Sequence, residues 1–169
     1  MTQTEFLNIV MPFKDKVFRL AKRLLVSTEE AEDATQEVLI KLWNNQSKFE
    51  EFKNVEAFSM TMTKNYCLDK LKSKQAQNLK IVHSNYQDHN ISLQKDIENK
   101  DSLDWVGRII ADLPEQQKMV IQLRDIEQYE LDEISDMLDM NNTAVRVALS
   151  RARKTIRAKL TNTHSYGIK

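Results

Sequence analysis

The sequence is poor in the residues that make tight turns, with two glycines and two prolines among its 169 residues. Tight turns recur throughout all-β sandwiches and barrels, and they depend on backbone conformations that glycine and proline supply. A chain of this length has room for one domain or two small ones, and 41% hydrophobic residues suffice for packed cores. The shortage therefore predicts an all-α protein.

Cysteine occurs once, at Cys67. A single cysteine cannot form an intramolecular disulfide and suits a reducing compartment, so we expect a cytoplasmic protein. The first residues lack the basic and apolar regions of a signal peptide. No run approaches the roughly 20 apolar residues of a membrane span, and we expect no membrane insertion.

Signatures of catalysis and of metal binding are missing from the sequence. There is no glycine-rich phosphate loop, and His83, His89 and His164 have no partners at zinc spacing. Asp33 and Glu37 fall on one predicted helical face, but no histidine accompanies them. We expect no enzymatic activity, no cofactor and no metal.

Acidic residues are missing after Asp139, although the formal net charge of the chain is zero. Six basic residues lie in the segment from Thr143 to Leu160: Arg146, Arg151, Arg153, Lys154, Arg157 and Lys159. Local patches rather than net charge decide binding to a polyanion, so this segregation favours a nucleic-acid partner. A solvated basic face on a core helix would explain the same charges, and both interpretations stay open.

Apolar residues recur every three or four positions over most of the chain, which is typical of amphipathic helices. The first such stripe covers residues 6–24, and Pro12 within it is expected to kink or restart the helix. A second helix is predicted from Ser27, which precedes Glu30 at the spacing of a capping box. A third is predicted over residues 56–74.

The helical pattern dissolves between residues 75 and 101, where the sequence is polar and rich in Asn and Gln. Such a stretch is too long for an ordinary connection within one compact domain. We therefore predict two small helical domains, residues 1–77 and 104–169, joined by a flexible linker at 78–103.

The end of the chain has the pattern of a helix-turn-helix, with a short helix at 131–138, a break at 139–142 and a longer basic helix. The DNA major groove is about 12 Å wide, so only the first turns of the second helix can reach base edges. The candidates there are Asn142, Thr143, Arg146, Val147 and Ser150. Later residues would mostly meet phosphates, which set position rather than sequence: Arg151, Arg153, Lys154 and Arg157.

The segment from Leu113 to Leu160 resembles the promoter-binding C-terminal domain of bacterial sigma factors of the extracytoplasmic-function (ECF) group. The matching pieces are the Leu-Pro start, the central "EIS-ML" and the ending from Ala144 to Arg153. The N-terminal half is similar independently, through "EDATQEVLIKLW" and "AFSMTMTKNYCLDKLKSK". Its matching residues are Asp33, Gln36, Glu37, Trp43, Lys64, Asn65 and Asp69.

The sequence departs from the family pattern at a few positions. Asp139 stands where the family usually has glycine, and we expect the turn to survive because Asp tolerates left-handed backbone. Glu130 replaces a usual Ser or Thr cap, and Phe58 replaces a usual Trp. Asn142 and Thr143 replace a small residue followed by glycine.

The resemblance implies roles for three surfaces. The second helix would dock on the clamp helices of the polymerase's largest subunit through Asp33, Gln36, Glu37 and Ile40. The following loop would capture a flipped base of the minus-ten element with Lys48, Phe49, Phe52, Lys53 and Asn54, while Lys64, Lys70, Lys72 and Lys74 would hold phosphates. The terminal helix would read the minus-thirty-five element. Alternatively, the second helix is merely solvated, and we expect at least one of the two loop phenylalanines to be a core residue.

The leading hypothesis is a promoter-specificity subunit of RNA polymerase. Its partners would be the clamp helices and flap of core RNA polymerase, promoter DNA and an anti-sigma protein, as the resemblance implies. The alternative is a free-standing helix-turn-helix regulator, which would have no use for the N-terminal half. A third hypothesis is a helical adaptor that binds only proteins.

Overall fold

The structure, a computed structural model, describes residues 1–82 and 104–167, and these ranges are helical without any strand. The predicted all-α class is confirmed. Most of the predicted linker, residues 83–103, lies outside the described residues, and so do His83 and His89. The first part of that linker continues the third helix to Val82.

Three helices form the N-terminal unit: α1 (Gln3–Leu25), α2 (Thr28–Asn44) and α3 (Val55–Val82), with a 3₁₀ turn at Gln46–Lys48. Their apolar stripes contribute to one continuous core, which also includes buried residues between Ile110 and Ala152. The fully buried side chains there include Val10, Val17, Leu20, Ala31, Ala34, Val38, Leu42 and Met60. The stripes that the sequence predicted in α1 and α2 therefore face inward.

Side chains cap the starts of the first two helices. Thr2 accepts a hydrogen bond from the Glu5 backbone at 3.2 Å and returns one from its own N–H to the Glu5 carboxylate at 2.8 Å. This is a complete capping box. At α2, Ser27 accepts from the Glu30 backbone at 3.3 Å, whereas the Glu30 carboxylate forms an ion pair with Lys74. The Ser27 half of the predicted capping box is thus formed, whereas the Ser27 N–H donates to the Leu25 carbonyl and not to Glu30.

Helix α1 passes through Pro12 as one element and does not restart there. Proline cannot donate the hydrogen bond that the carbonyl of Asn8, four residues earlier, would accept. Both residues are exposed, so water can satisfy that carbonyl. The buried face of α1 continues on either side, because Phe6, Val10, Phe13 and Val17 share one core.

Four helices form the C-terminal unit: α4 (Asp104–Ala111), α5 (Glu115–Ile121), α6 (Leu131–Leu138) and α7 (Asn142–Gly167). Helix α5 ends in a π-helical turn at Gln122–Ile126. The preference of proline for the first helical position predicts that Pro114 begins α5, but Pro114 is the N-cap instead. In α7, apolar residues at three- and four-residue steps predict one buried face, formed by Val145, Leu149, Ala152, Ile156 and Leu160. The first three of these residues are buried.

The expectation that Leu160 lies on the buried side of α7 is wrong. Its side chain is 36% exposed, and Ile156, one turn earlier, is only partly buried against the core. Periodicity assigns a residue to a face of a helix but does not say whether another helix covers that face. Within the described ranges, no helix combines the length and apolar character that crossing a membrane requires.

Candidate nucleic-acid interface

The turn between α6 and α7 has the geometry of a helix-turn-helix. Asp139 adopts the left-handed conformation, with φ 52° and ψ 48°, as expected for a residue in the glycine position. Asn141 then caps α7, because its side-chain oxygen accepts from the Ala144 backbone at 2.7 Å. The sequence analysis did not predict this cap, although Asn directly before a helix is a common signal of its start.

The first turns of α7 present an exposed surface of mixed chemistry. Thr143, Arg146, Val147, Ser150 and Arg151 line one shallow depression that contains no acidic side chain. Val147 is 41% exposed, so its methyl groups are available to an apolar partner such as a thymine methyl. The structure thus brings together four of the five candidates for base contacts.

The fifth candidate for base contact, Asn142, lies beside this depression. Its amide nitrogen donates to the Asp132 carboxylate of α6 at 2.7 Å. The contact ties the first residue of α7 to the preceding helix and orients the Asn142 amide.

The basic residues later in α7 are not equivalent. Arg153 forms two hydrogen bonds with the Asp125 carboxylate, at 2.6 and 3.1 Å, which raise the pKa of its guanidinium. The side chains of Arg151, Lys154 and Arg157 are exposed and, like Arg146, form no ion pair with the described residues. These four cations remain available to phosphate, whereas Arg153 already has an anionic partner.

The loop between α2 and α3 separates the two predicted loop phenylalanines. Phe49 is buried and stacks on Phe6, with ring centroids 6.1 Å apart. We expected at least one of the two phenylalanines to be a core residue, and Phe49 is one. Phe52 is only partly buried, and its ring stacks on that of Phe58 at 4.0 Å between centroids.

The polar residues of the same loop lie on the surface. Lys48 and Lys53 are exposed, and Asn54 caps α3 by accepting from the Ala57 backbone at 3.3 Å. Phe52, Lys53 and Asn54 line a second depression together with Ala57 and Phe58. Glu51 of the loop and Glu133 and Asp136 of α6 complete its lining, so carboxylates from both units lie beside the predicted minus-ten loop.

The four lysines predicted to hold phosphates have different surroundings. Lys64 donates to the Met137 carbonyl at 3.1 Å, and Lys74 pairs with Glu30. Lys70 lies 5.8 Å from the centre of the Tyr66 ring, which is a weak cation–π distance. Lys72 is exposed. The structure therefore leaves Lys72 and Lys70 most accessible to a DNA backbone.

The predicted docking face of α2 forms one continuous exposed surface. Asp33, Gln36, Glu37 and Ile40 recur at three- and four-residue intervals, and all four are exposed. Ile40 is 53% exposed, so its apolar side chain is available to a partner beside the three polar residues. The opposite side of the helix lies in the core.

The remaining chemistry-bearing groups form no further site in the part of the chain that the structure describes. No group of three His, Cys, Asp or Glu side chains there could hold a metal. Cys67 is fully buried, and burial raises the pKa of its thiol to about 12, so the reactive thiolate is suppressed.

Two family models match the chain in order: sigma-70 region 2 over residues 9–77 and sigma-70 region 4 over residues 103–156. Together they span most of the sequence, and the chain belongs to the sigma-70 family. Its curated relatives include the ECF sigma factor SigW of Bacillus subtilis, 23% identical over 94% of this chain and 90% of SigW. The ECF sigma factor SigK of Mycobacterium tuberculosis is 31% identical over 47% of this chain and 43% of SigK. The resemblance to the ECF group is confirmed.

Solved structures share the fold. The sigma factor RpoE of Bartonella quintana, in complex with the anti-sigma factor NepR, superposes with a TM-score of 0.77 at 16% identity and covers 93% of this chain and 97% of its own. CnrH, in complex with the cytosolic domain of CnrY, gives 0.68 at 16% identity, with coverage of 95% and 90%. At this identity the likeness concerns architecture alone.

Proposed function

We propose that the chain is a non-catalytic promoter-specificity subunit that binds core RNA polymerase in the cytoplasm and directs initiation at a bipartite promoter. The observation that carries the proposal is the pairing of two exposed surfaces within one sigma-70 family chain. One is the basic face of α7 around Arg146, and the other is the α2 face around Glu37 and Ile40.

The helix-turn-helix supplies the duplex reader for the minus-thirty-five element. Arg146 can bind guanine with two hydrogen bonds, Val147 and Thr143 can contact thymine methyls, and Ser150 can donate to either base type. Arg151, Lys154 and Arg157 follow on α7 and are free of ion pairs with described residues, so they can neutralise phosphates. Their exposure supports this role, and the Asp125 contact makes Arg153 the weakest candidate.

The loop after α2 supplies the minus-ten reader. Phe52 offers a partly exposed aromatic face, and Lys53 and Asn54 flank it with charged and polar groups. An unstacked base can stack on such a ring, at about 1–3 kcal/mol per base. Phe49 would act indirectly, by holding the loop against Phe6, while Lys70 and Lys72 on α3 meet the backbone.

Polymerase makes two weak DNA contacts selective by holding the two readers at a fixed separation. Linking binding events in this way raises affinity without new contacts. The α2 face is the surface we assign to docking on the clamp helices, and the C-terminal unit to the flap. An anti-sigma protein is a further proposed partner, because both structural neighbours were solved with a protein partner.

The test is run-off transcription with core polymerase and a promoter selected from random DNA by the reconstituted holoenzyme. Specific initiation should appear with the wild-type chain and fall strongly with Arg146→Ala and with Glu37→Lys. The matched controls are Lys14→Ala on α1 and Glu115→Lys on α5, which change the same charges away from both surfaces. Initiation equal to that of core polymerase alone would contradict the proposal.

The free-standing regulator remains the alternative function, since the helix-turn-helix would serve it equally well. Such a protein would bind its duplex site tightly in the absence of polymerase. It would also be insensitive to Glu37→Lys, because α2 would have no docking role. Duplex binding by the chain with and without core polymerase therefore separates the two functions.

A further inference from the structure

The helix-turn-helix contains two neighbouring asparagines whose amides have different partners. The side-chain oxygen of Asn141 accepts from the Ala144 backbone at 2.7 Å, so this amide serves to start α7. The Asn142 amide nitrogen instead donates to the Asp132 carboxylate of α6, also at 2.7 Å. Both Asn142 and Asp132 are exposed. The Asn142 amide is therefore oriented at the surface and is not used as a helix cap.

The carboxylate partner decides which way round the Asn142 amide lies. An ionised carboxylate has no hydrogen to donate, so it can receive only the nitrogen end of an amide. The oxygen end of Asn142 cannot face Asp132, and it accepts no hydrogen bond within the part of the chain that the structure describes. One of its two N–H groups is also left over. Asn142 thus presents one acceptor and one donor in a fixed order.

Asn142 lies on the same face of α7 as two of the proposed base readers. Arg146 follows it by four residues and Ser150 by eight, and residues four apart on a helix are neighbours. Arg146 and Ser150 line the depression at the start of α7. Residues in the first turns of a recognition helix are those that contact base edges in the major groove. Asn142, as the first residue of α7, has the position of a base reader.

The donor and acceptor of Asn142 match one base in particular. In the major groove, adenine offers an acceptor at N7 beside a donor at N6, and an asparagine amide can bind both at once. Guanine offers two acceptors, N7 and O6, so the Asn142 oxygen would face one of them. Thymine and cytosine each offer one polar group and hence a single hydrogen bond. The fixed amide therefore favours adenine over the other three bases.

We propose that Asn142 reads an adenine of the minus-thirty-five element and that Asp132 is a positioning residue, which fixes the Asn142 amide for this base. The inference rests on the proposed function and adds a base contact to it. An amide that is already oriented loses less conformational freedom on binding DNA. Without Asp132 the amide can turn over and offer either end, so guanine is no longer disfavoured. Because the sequence departs from the family pattern at Asn142, family membership does not supply this preference.

The charge of Asp132 has a separate effect on DNA binding. The carboxylate lies in the first turn of α6, where it interacts favourably with the helix dipole, but it also repels DNA phosphates. Loss of the charge should raise the affinity for every sequence. Loss of the hydrogen bond to Asn142 should change the preference at one base pair. Overall affinity and base preference therefore report on the two effects separately.

The test selects sequences from a promoter library randomised over the minus-thirty-five element, with holoenzyme reconstituted from core polymerase and the full chain. Wild type is compared with Asn142→Ala, Asp132→Ala and Asp132→Asn, of which the last keeps an acceptor for the Asn142 amide without the charge. The matched control is Glu115→Ala, because Glu115 is likewise exposed and lies in the first turn of α5. Circular dichroism checks that each variant remains helical.

Wild type should enrich adenine at one base pair by about tenfold. Asn142→Ala and Asp132→Ala should lose this enrichment and keep the preferences at the other base pairs. Asp132→Asn should bind all sequences more tightly but keep most of the enrichment, and Glu115→Ala should have the wild-type preference. Replacement of that adenine by 7-deazaadenine, which lacks the N7 acceptor, should weaken binding by wild type and not by Asn142→Ala.

Unchanged preferences in Asn142→Ala would overturn the base contact, and enrichment of another base at the responding position would overturn the assignment to adenine. A preference that Asp132→Ala retains, with or without a uniform loss of affinity, would overturn the positioning role. In each of these cases, a promoter position that responds to Arg146→Ala still supports the proposed function. Failure of the wild-type holoenzyme to select any sequence would overturn both.

Discussion

Arg153 and Asp125 form a two-bond ion pair that ties the middle of α7 to the π-helical turn after α5, with N–O distances of 2.6 and 3.1 Å. The two residues are 28 positions apart in the sequence. The pair lies at the surface and adds to the apolar packing of α7 through Val145, Leu149 and Ala152. It also distinguishes Arg153 from Arg146, Arg151, Lys154 and Arg157, which form no ion pair with the described residues.

This pair predicts unequal effects for two arginines of α7. Arg146→Ala should weaken holoenzyme binding to the selected promoter by about 1–3 kcal/mol and relax base preference at one position. Arg153→Ala should weaken DNA binding less, and it should cost about 0.2–1 kcal/mol of stability through the lost ion pair. Binding titrations at fixed salt and urea denaturation measure the two effects.

Asp125→Asn is the control for this comparison, because it releases Arg153 without removing its charge. It should leave DNA binding unchanged or strengthen it. An Arg153→Ala loss as large as that of Arg146→Ala would show that Arg153 leaves Asp125 to contact DNA.

The two loop phenylalanines should separate stability from DNA binding. Phe49→Ala removes a buried ring from the core and should cost about 3–5 kcal/mol in the free energy of unfolding. Phe52→Ala should cost about 1 kcal/mol, because that ring is only partly buried, yet it should impair promoter opening. Urea denaturation and permanganate footprinting of the holoenzyme test the pair. Equal losses of stability would contradict the assignment.

Asp139 holds a left-handed conformation that costs an L-residue about 1–2 kcal/mol. Asp139→Gly should therefore raise the free energy of unfolding by about 0.5–1 kcal/mol, after the extra flexibility of glycine in the unfolded chain is subtracted. Asp139→Ala, which keeps the Cβ and loses the polar group, should lower it. The urea midpoints of the three proteins give the order. An Asp139→Gly variant no more stable than wild type would refute the strain, and an Asp139→Ala variant as stable as wild type would refute a contribution of the polar group.

The buried Cys67 thiol predicts a loss of stability in alkali. Its pKa is about 12 in the folded chain and about 8.5 when unfolded, so ionisation favours the unfolded state as pH rises. The stabilisation from the protonated Cys67 thiol is complete below about pH 8.5. Above it, the free energy of unfolding falls by up to about 1.4 kcal/mol per pH unit, or by about 2 kcal/mol in total at pH 10.

Cys67→Ala should remove this contribution to the fall of the free energy of unfolding at alkaline pH. The variant can also be less stable at neutral pH because it loses packing contacts, but that loss does not depend on pH. Denaturation at pH 7, 8.5 and 10 measures the difference between the two proteins. Burial and Glu56 raise the pKa of the Tyr129 hydroxyl, so its ionisation also favours unfolding in alkali. This effect is the same in wild type and in Cys67→Ala. Parallel pH profiles for wild type and Cys67→Ala would contradict the prediction.

Much of the candidate site followed from local patterns. The exposed series on α2, the basic series on α7 and the left-handed turn at Asp139 all rest on relations between residues a few positions apart. Such relations are set by the 3.6-residue helical period and by backbone sterics, which act within a few residues. The separate roles of Phe49 and Phe52 could not be read in this way, since both lie in one short loop.

The sequence by itself determined the helices, their apolar faces, the helix-turn-helix and the family, because each depends on short-range order or on the identity of residues at fixed spacing. Tertiary structure alone decided which charges are paired. Glu127 lies in a segment rich in acidic residues, 125–139, and carboxylates are mostly exposed in proteins. Its side chain is nevertheless buried against Arg19, 108 residues away. The helical period predicts on which face of a helix a side chain lies, but the residues that it contacts depend on how distant parts of the chain pack together.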